Sequence, residues 1–133
     1  MKGSYVLLVR LPEEQMIRVG GRGSVFFPGG HYAYVGSAMG GFSARVGRHL
    51  RESKKPRWHI DYLLQKAVVT GVILCEAEKR LECTIARVLK SRLDSIPGFG
   101  ASDCQCKSHL FFATDARVME STVMTTLDSL GVR

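Results

Sequence analysis

No apolar run in the 133-residue chain approaches the ~20 residues of a membrane span. The longest early one, Val6-Leu7-Leu8-Val9, is cut by Arg10. The first residues, Met1-Lys2-Gly3-Ser4-Tyr5, run straight into a strand-like stretch with no signal-peptide pattern. A cytoplasmic protein with no membrane partner is therefore expected. Neither a Gly-x-Gly-x-x-Gly nor a P-loop occurs, so no organic cofactor is expected. Repeats, low-complexity tracts and linkers are also missing, which leaves residues 1–133 to be read as one domain.

Cysteine is sparse: Cys75, Cys83, Cys104 and Cys106. Without a secretory signal they read as reduced thiols. Cys104 and Cys106 are too close for an easy bridge to each other. A zinc site would collect Cys104, Cys106 and His109, with Cys83 as a further donor. The Cys-x-Cys-x-x-His run lacks the paired Cys-x-x-Cys knuckle of recognisable structural sites, so zinc is disfavoured.

Acidic residues are also scarce. Nineteen Lys and Arg stand against twelve Asp and Glu, a net charge of +7. Such an excess in a small domain suits a polyanion partner. It is concentrated from Arg45 to Arg57, where Arg45, Arg48, Arg51, Lys54, Lys55 and Arg57 face only Glu52, a net of +5. Apolar residues make up 45% and charged residues 23%, a mixture that excludes wholesale disorder and a fibrous chain.

Residues 4–11 are rich in β-formers and end at Pro12, which predicts a strand. Residues 15–19 and 24–27 read as a hairpin around Gly20-Gly21-Arg22-Gly23. A further strand covers 31–36, with Tyr32 and Tyr34 on one face. Gly40-Gly41 leads into a helix whose buried stripe is expected at Phe42, Val46 and Leu50, with Arg45 and His49 on an adjacent stripe. A second helix is expected from Trp58 to about Lys66, a strand over 67–75 and a long helix over 77–93. A strand at 109–114 and a helix at 116–130 complete a mixed α+β chain, its sheet mostly antiparallel and flanked by helices.

Certain pairs stand out as carriers of chemistry on a polyanion: tyrosines on strands, Arg45 with His49 on one helical face, and Glu78 with Glu82 four apart. Phosphodiester hydrolysis needs a group to activate water, positive charge on the phosphate and usually a metal held by carboxylate. A tyrosine serves only if its proton has somewhere to go, since its pKa is about 10.

Gly3-Ser4-Tyr5, Tyr34-Val35-Gly36-Ser37, Arg45 and His49 together resemble the motif series of the GIY-YIG nuclease superfamily. The longer set is Tyr32 to Ala38, Trp58-His59-Ile60-Asp61-Tyr62-Leu63, Glu82-Cys83, Pro97 to Gly100, and Asp103-Cys104 to Phe111. This set resembles one small archaeal and bacterial branch, sometimes fused to an endonuclease-III-type glycosylase. The resemblance implies a GIY-YIG-like fold with an extra hairpin between the two tyrosine motifs. It places the catalytic roles on Tyr5, Tyr34, Arg45, His49 and Glu82, with Glu82 as the ligand of Mg2+ or Mn2+ and Glu78 as its competitor one turn away.

Ser37, Arg48, Lys54, Lys55 and His59 are the expected substrate contacts. The implied activity is metal-dependent endonucleolytic cleavage, with DNA favoured over RNA and a DNA-repair protein as partner. The sequence departs from the superfamily at Ser37, where some relatives carry Lys, and in having no Asn to follow the metal Glu; Asp94, Ser95 and Asp103 are candidate replacements. The competing reading is a non-catalytic nucleic-acid-binding module that grips phosphates with the same basic helix.

Overall fold

The computed structural model describes residues 2–51, 58–100 and 106–131. In chain order the strands and helices are β1 (Gly3–Leu11), β2 (Gln15–Arg18), β3 (Ser24–Phe27), β4 (Gly30–Ala38), α1 (Phe42–Leu50), α2 (His59–Leu64), β5 (Val68–Glu76), α3 (Glu82–Lys90), β6 (Asp94–Ser95), β7 (Leu110–Ala113) and α4 (Ala116–Ser129). The fold is α+β. Its main sheet runs β5-β1-β4-β7-β6 with antiparallel pairing throughout. The second sheet is the β2–β3 hairpin.

The strands expected at 4–11 and 31–36 lie side by side. Their register sets Tyr5 opposite Gly36 and Leu7 opposite Tyr34. β1 sits between β4 and β5 and is covered on both faces, so Gly3 to Leu7 are all buried. Alternate side chains feed two cores, as the two-residue period of a strand requires. Tyr5, Leu7, Val9 and Leu11 join Tyr32, Tyr34, Phe42, Ile60, Leu63 and Phe99 on one face. Val6 joins Ala33, Val35, Ile85, Leu89, Phe111, Met119 and Val123 on the other, beneath α3 and α4. The hairpin packs Ile17 and Phe27 into the first core.

Two expectations change. Helix α3 starts at Glu82 instead of 77. The Ala77 N–H is drawn to the Lys2 carbonyl at 3.1 Å, which prolongs the sheet. The Leu81 N–H is taken by the Ser4 hydroxyl oxygen at 3.1 Å, and the helix begins there. On α1 the expected apolar stripe is rotated: Leu50 is 56% exposed while His49 is buried beside Phe42. The helix therefore turns Arg45 and His49 toward the sheet, and its second apolar line partly toward solvent.

Candidate active site

Two glycines shape the floor of the site. A Cβ at Gly3 would lie 2.1 Å from the Cys75 carbonyl oxygen, so only glycine lets β1 and β5 approach there. A Cβ at Gly36 would lie 2.4 Å from the Tyr5 ring and hydroxyl. The missing side chain is the space in which the Tyr5 phenol rests. This gives the Gly-x-Tyr and Tyr-x-Gly patterns a steric cause.

The Tyr5 hydroxyl meets His49 Nε2 at 2.5 Å in a buried contact between β1 and α1. Tyr5 and Tyr34 ring centroids are 6.4 Å apart, and Tyr34 and His49 are 6.1 Å apart. The Arg45 charge acts on the Tyr5 phenol. With the lone pair on His49 Nε2, the phenol donates its proton to that nitrogen. Burial is the largest influence on Tyr5 and holds its phenol far above the ordinary value; Tyr34 adds to this and Arg45 opposes it. Tyr34 is pushed up to about 12, again chiefly by burial, with Arg45 opposing and Asp61 and Glu82 reinforcing. Both are neutral phenols at physiological pH.

Glu82 comes from the first turn of α3, and its charge is felt by Tyr5, Tyr34 and His109. Its side chain is 16% exposed, and its ion pair with the outlying Arg80 is long, at 3.9 Å. Glu78 lies ahead of the helix, 97% exposed, and pairs with Lys2. Of the two carboxylates weighed as metal ligands, Glu82 is the one within electrostatic reach of the tyrosines.

Arg45 and Arg48 both place their guanidinium carbons over the Trp58 ring, at 4.3 and 4.8 Å. Arg48 also donates to buried Asp61 at 2.8 Å, and Asp61 accepts from the Trp58 N–H at 2.9 Å, holding the start of α2. His59 accepts from the Gly100 N–H at 2.9 Å through Nδ1. Arg48 and His59, expected as substrate contacts, thus have structural partners. Ser37 is half-buried on β4, opposite Ser4. Lys54 and Lys55 lie outside the described residues, as does Asp103. Asp94 and Ser95 form β6 at the far edge of the sheet, away from the tyrosines.

Sequence reading did not single out Arg22 or Phe99. Arg22, on the hairpin tip, comes close enough to Gly98 that a Cβ there would lie 2.5 Å from its guanidinium. Phe99 packs its ring against Tyr34 and His59. The glycines that flank both residues were the available signal.

The family model described as "Domain of unknown function DUF123" matches residues 4–132. The chain belongs to that family. Neither curated proteins nor solved structures give a significant match. In this DUF123 domain, β1, β4, α1 and the start of α3 each contribute to one constellation of two neutral phenols, an imidazole, a guanidinium and a carboxylate.

Proposed function

We propose that this DUF123 domain is a metal-dependent endonuclease that hydrolyses phosphodiester bonds in nucleic acid, DNA in preference to RNA. The observation that carries the reading is the Tyr5–His49 contact at 2.5 Å, in which a neutral phenol meets an imidazole nitrogen within reach of the Arg45 charge. It is joined by the resemblance of these residues to the GIY-YIG motif series and by the basic charge of the chain.

Tyr5 hydrogen-bonds a water and takes its proton while passing its own to His49 Nε2. This avoids a free phenolate, which burial disfavours. Arg45, held over the Trp58 ring, offers N–H donors and charge to the phosphate oxygens as the pentavalent arrangement develops. The Glu82 carboxylate suits a hard cation: it is an oxygen donor, it is partly open to solvent, and its ion pair with Arg80 is long. A cation bound there supplies charge neutralisation and a more acidic water.

Full burial of the Tyr5 ring favours the second reading, a binding module without cleavage. A screen of linear, branched and damaged DNA and of RNA with Mg2+ or Mn2+ separates the two. Cleavage that disappears in Glu82→Ala while binding persists supports the nuclease. Salt-sensitive binding with no cleavage by the wild type, and tighter binding by Glu82→Ala, supports the module. Binding by either route should weaken steeply with salt, and uniformly across sequences in a Lys54→Glu, Lys55→Glu variant.

A further inference from the structure

A second cluster lies where the start of α3 meets the segment that leads into β7. Cys83, on the first turn of α3, meets Cys106 and His109, from the segment that leads into β7. One ligand atom from each lies within 4.8 Å of the others. The Cys83 Sγ to His109 Nε2 separation is 3.9 Å. Tetrahedral zinc with bonds of about 2.3 Å to sulfur and about 2.05 Å to nitrogen sets its S···N pairs about 3.6 Å apart. The cluster is therefore within a few tenths of an ångström of that spacing on this pair, and within about 1.2 Å on every pair.

The imidazole is oriented independently of the thiols. His109 Nδ1 lies 3.2 Å from the Val35 carbonyl oxygen. A carbonyl only accepts, so the proton is on Nδ1, and the Nε2 lone pair is directed at the sulfur cluster. Metal-bound histidines are held in this way by a carbonyl or carboxylate behind them. The His109 backbone is fixed as well, through the Phe99 carbonyl at 2.8 Å and the Val35 N–H at 2.9 Å. Cys83 and Cys106 also line a cavity of about 510 Å³ rimmed by Arg87, Lys90 and Lys107, which gives an ion a route from solvent.

We propose that Cys83, Cys106 and His109 form a binding site for a zinc-type divalent ion, which ties the start of α3 to the strand entry at His109. Two thiolates and a neutral imidazole balance the charge of the ion and select a borderline-soft metal over Mg2+. The fourth position is taken by water or a small anion from the cavity. Cys104 lies outside the described residues, and the site stands on the other three. The ion would lie next in sequence to Glu82 and hold the helix end that presents that carboxylate.

The test uses the full chain, purified under reducing conditions and assayed for zinc, then stripped and titrated with Co2+. The expected result is one metal per chain and a thiolate-to-cobalt charge-transfer band in the near ultraviolet. A Cys83→Ser, Cys106→Ser double variant should lose the band. Each single variant should bind about 100-fold more weakly or worse, since loss of even an outer partner of a ligand costs up to about 100-fold. Glu82→Ala should keep both metal and band, which separates this site from any Mg2+ site. Far-ultraviolet circular dichroism of the double variant checks that it remains folded. Wild-type chain that holds no zinc and shows no cobalt band overturns the proposal. So does an unchanged band in a folded double variant, or a Cys83–Cys106 disulfide that forms under the same reducing conditions.

Discussion

The two faces of the sheet are built from the same strands and differ in what they bury. Under α3 and α4 the core is almost wholly aliphatic: Val6, Val35, Ile85, Leu89, Val123 and Leu127, with Phe111 and Met119. Under α1, α2 and the hairpin it is rich in rings, and it encloses His49 and Asp61 as well as the Tyr5 hydroxyl. Aliphatic packing needs no partners and contributes stability by area alone. Buried polar rings must each be satisfied by a specific neighbour. The first face is thus a support, and the second spends part of its interior on oriented polar groups.

Breaking one face should leave the other's property intact, and the largest effects come from the ring side. Tyr5→Phe removes a single oxygen and should lower cleavage about 10²–10⁴-fold, the usual scale of a proton-transfer group. Its stability should fall by about 1–3 kcal/mol, because the buried His49 nitrogen loses its partner. Nuclease kinetics beside a urea titration check both halves. Leu89→Ala is the mirror case. It should cost about 2–5 kcal/mol of stability through an internal cavity, while cleavage per folded molecule stays at the wild-type rate. Equal losses of rate from both variants would erase the division between the faces.

Ser4→Ala probes the link between them. The Ser4 hydroxyl accepts the Leu81 N–H at the head of α3. Its loss should cost about 1–3 kcal/mol, the penalty of a half-buried donor left without its acceptor. It should also reduce hydrogen-exchange protection first at residues 81–84.

The smallest effect is a pH dependence. Burial, and secondarily the Arg22 charge, lower the pKa of His59 below its ordinary 6.5. The unfolded chain takes up that proton first, so stability is full above about pH 6.5 and declines as pH falls toward the lower folded-state value. Melting temperatures near pH 7.5 and near pH 5.5 should differ less in His59→Asn, which keeps an acceptor for the Gly100 N–H but does not titrate.

The sequence was most legible where one local rule decided the outcome. Alternation and β-branching placed β1, β4, β5 and β7 within a residue or two, and Gly20 to Gly23 marked the hairpin turn. It was least legible where burial and polarity part company. Hydrophobic spacing assigned the inner face of α1 to Phe42, Val46 and Leu50, because it treats His49 and Arg45 as solvent-seeking. The tyrosine hydroxyl and the Trp58 ring give those two residues partners inside, and the helix rotates toward them. Which of Glu78 and Glu82 lies near the tyrosines could not be read from an i, i+4 pattern, because it depends on a hydroxyl on β1 that fixes where α3 begins. The sulfur cluster was named from the sequence and set aside for want of a paired knuckle: Cys106 and His109 are close in sequence, but Cys83 reaches them only once α3 has docked.

The fit of Tyr5 into the space left by Gly36 ties together two positions 31 residues apart in the chain. A side chain at position 36 can be accepted only after residue 5 has become smaller. A smaller residue at position 5, arriving first, opens a void that costs stability. Neither order of change is free, so the pair should pass through descent as one inherited unit. Among relatives, a tyrosine at the first position should foretell glycine at the second more strongly than it foretells any residue that touches only solvent.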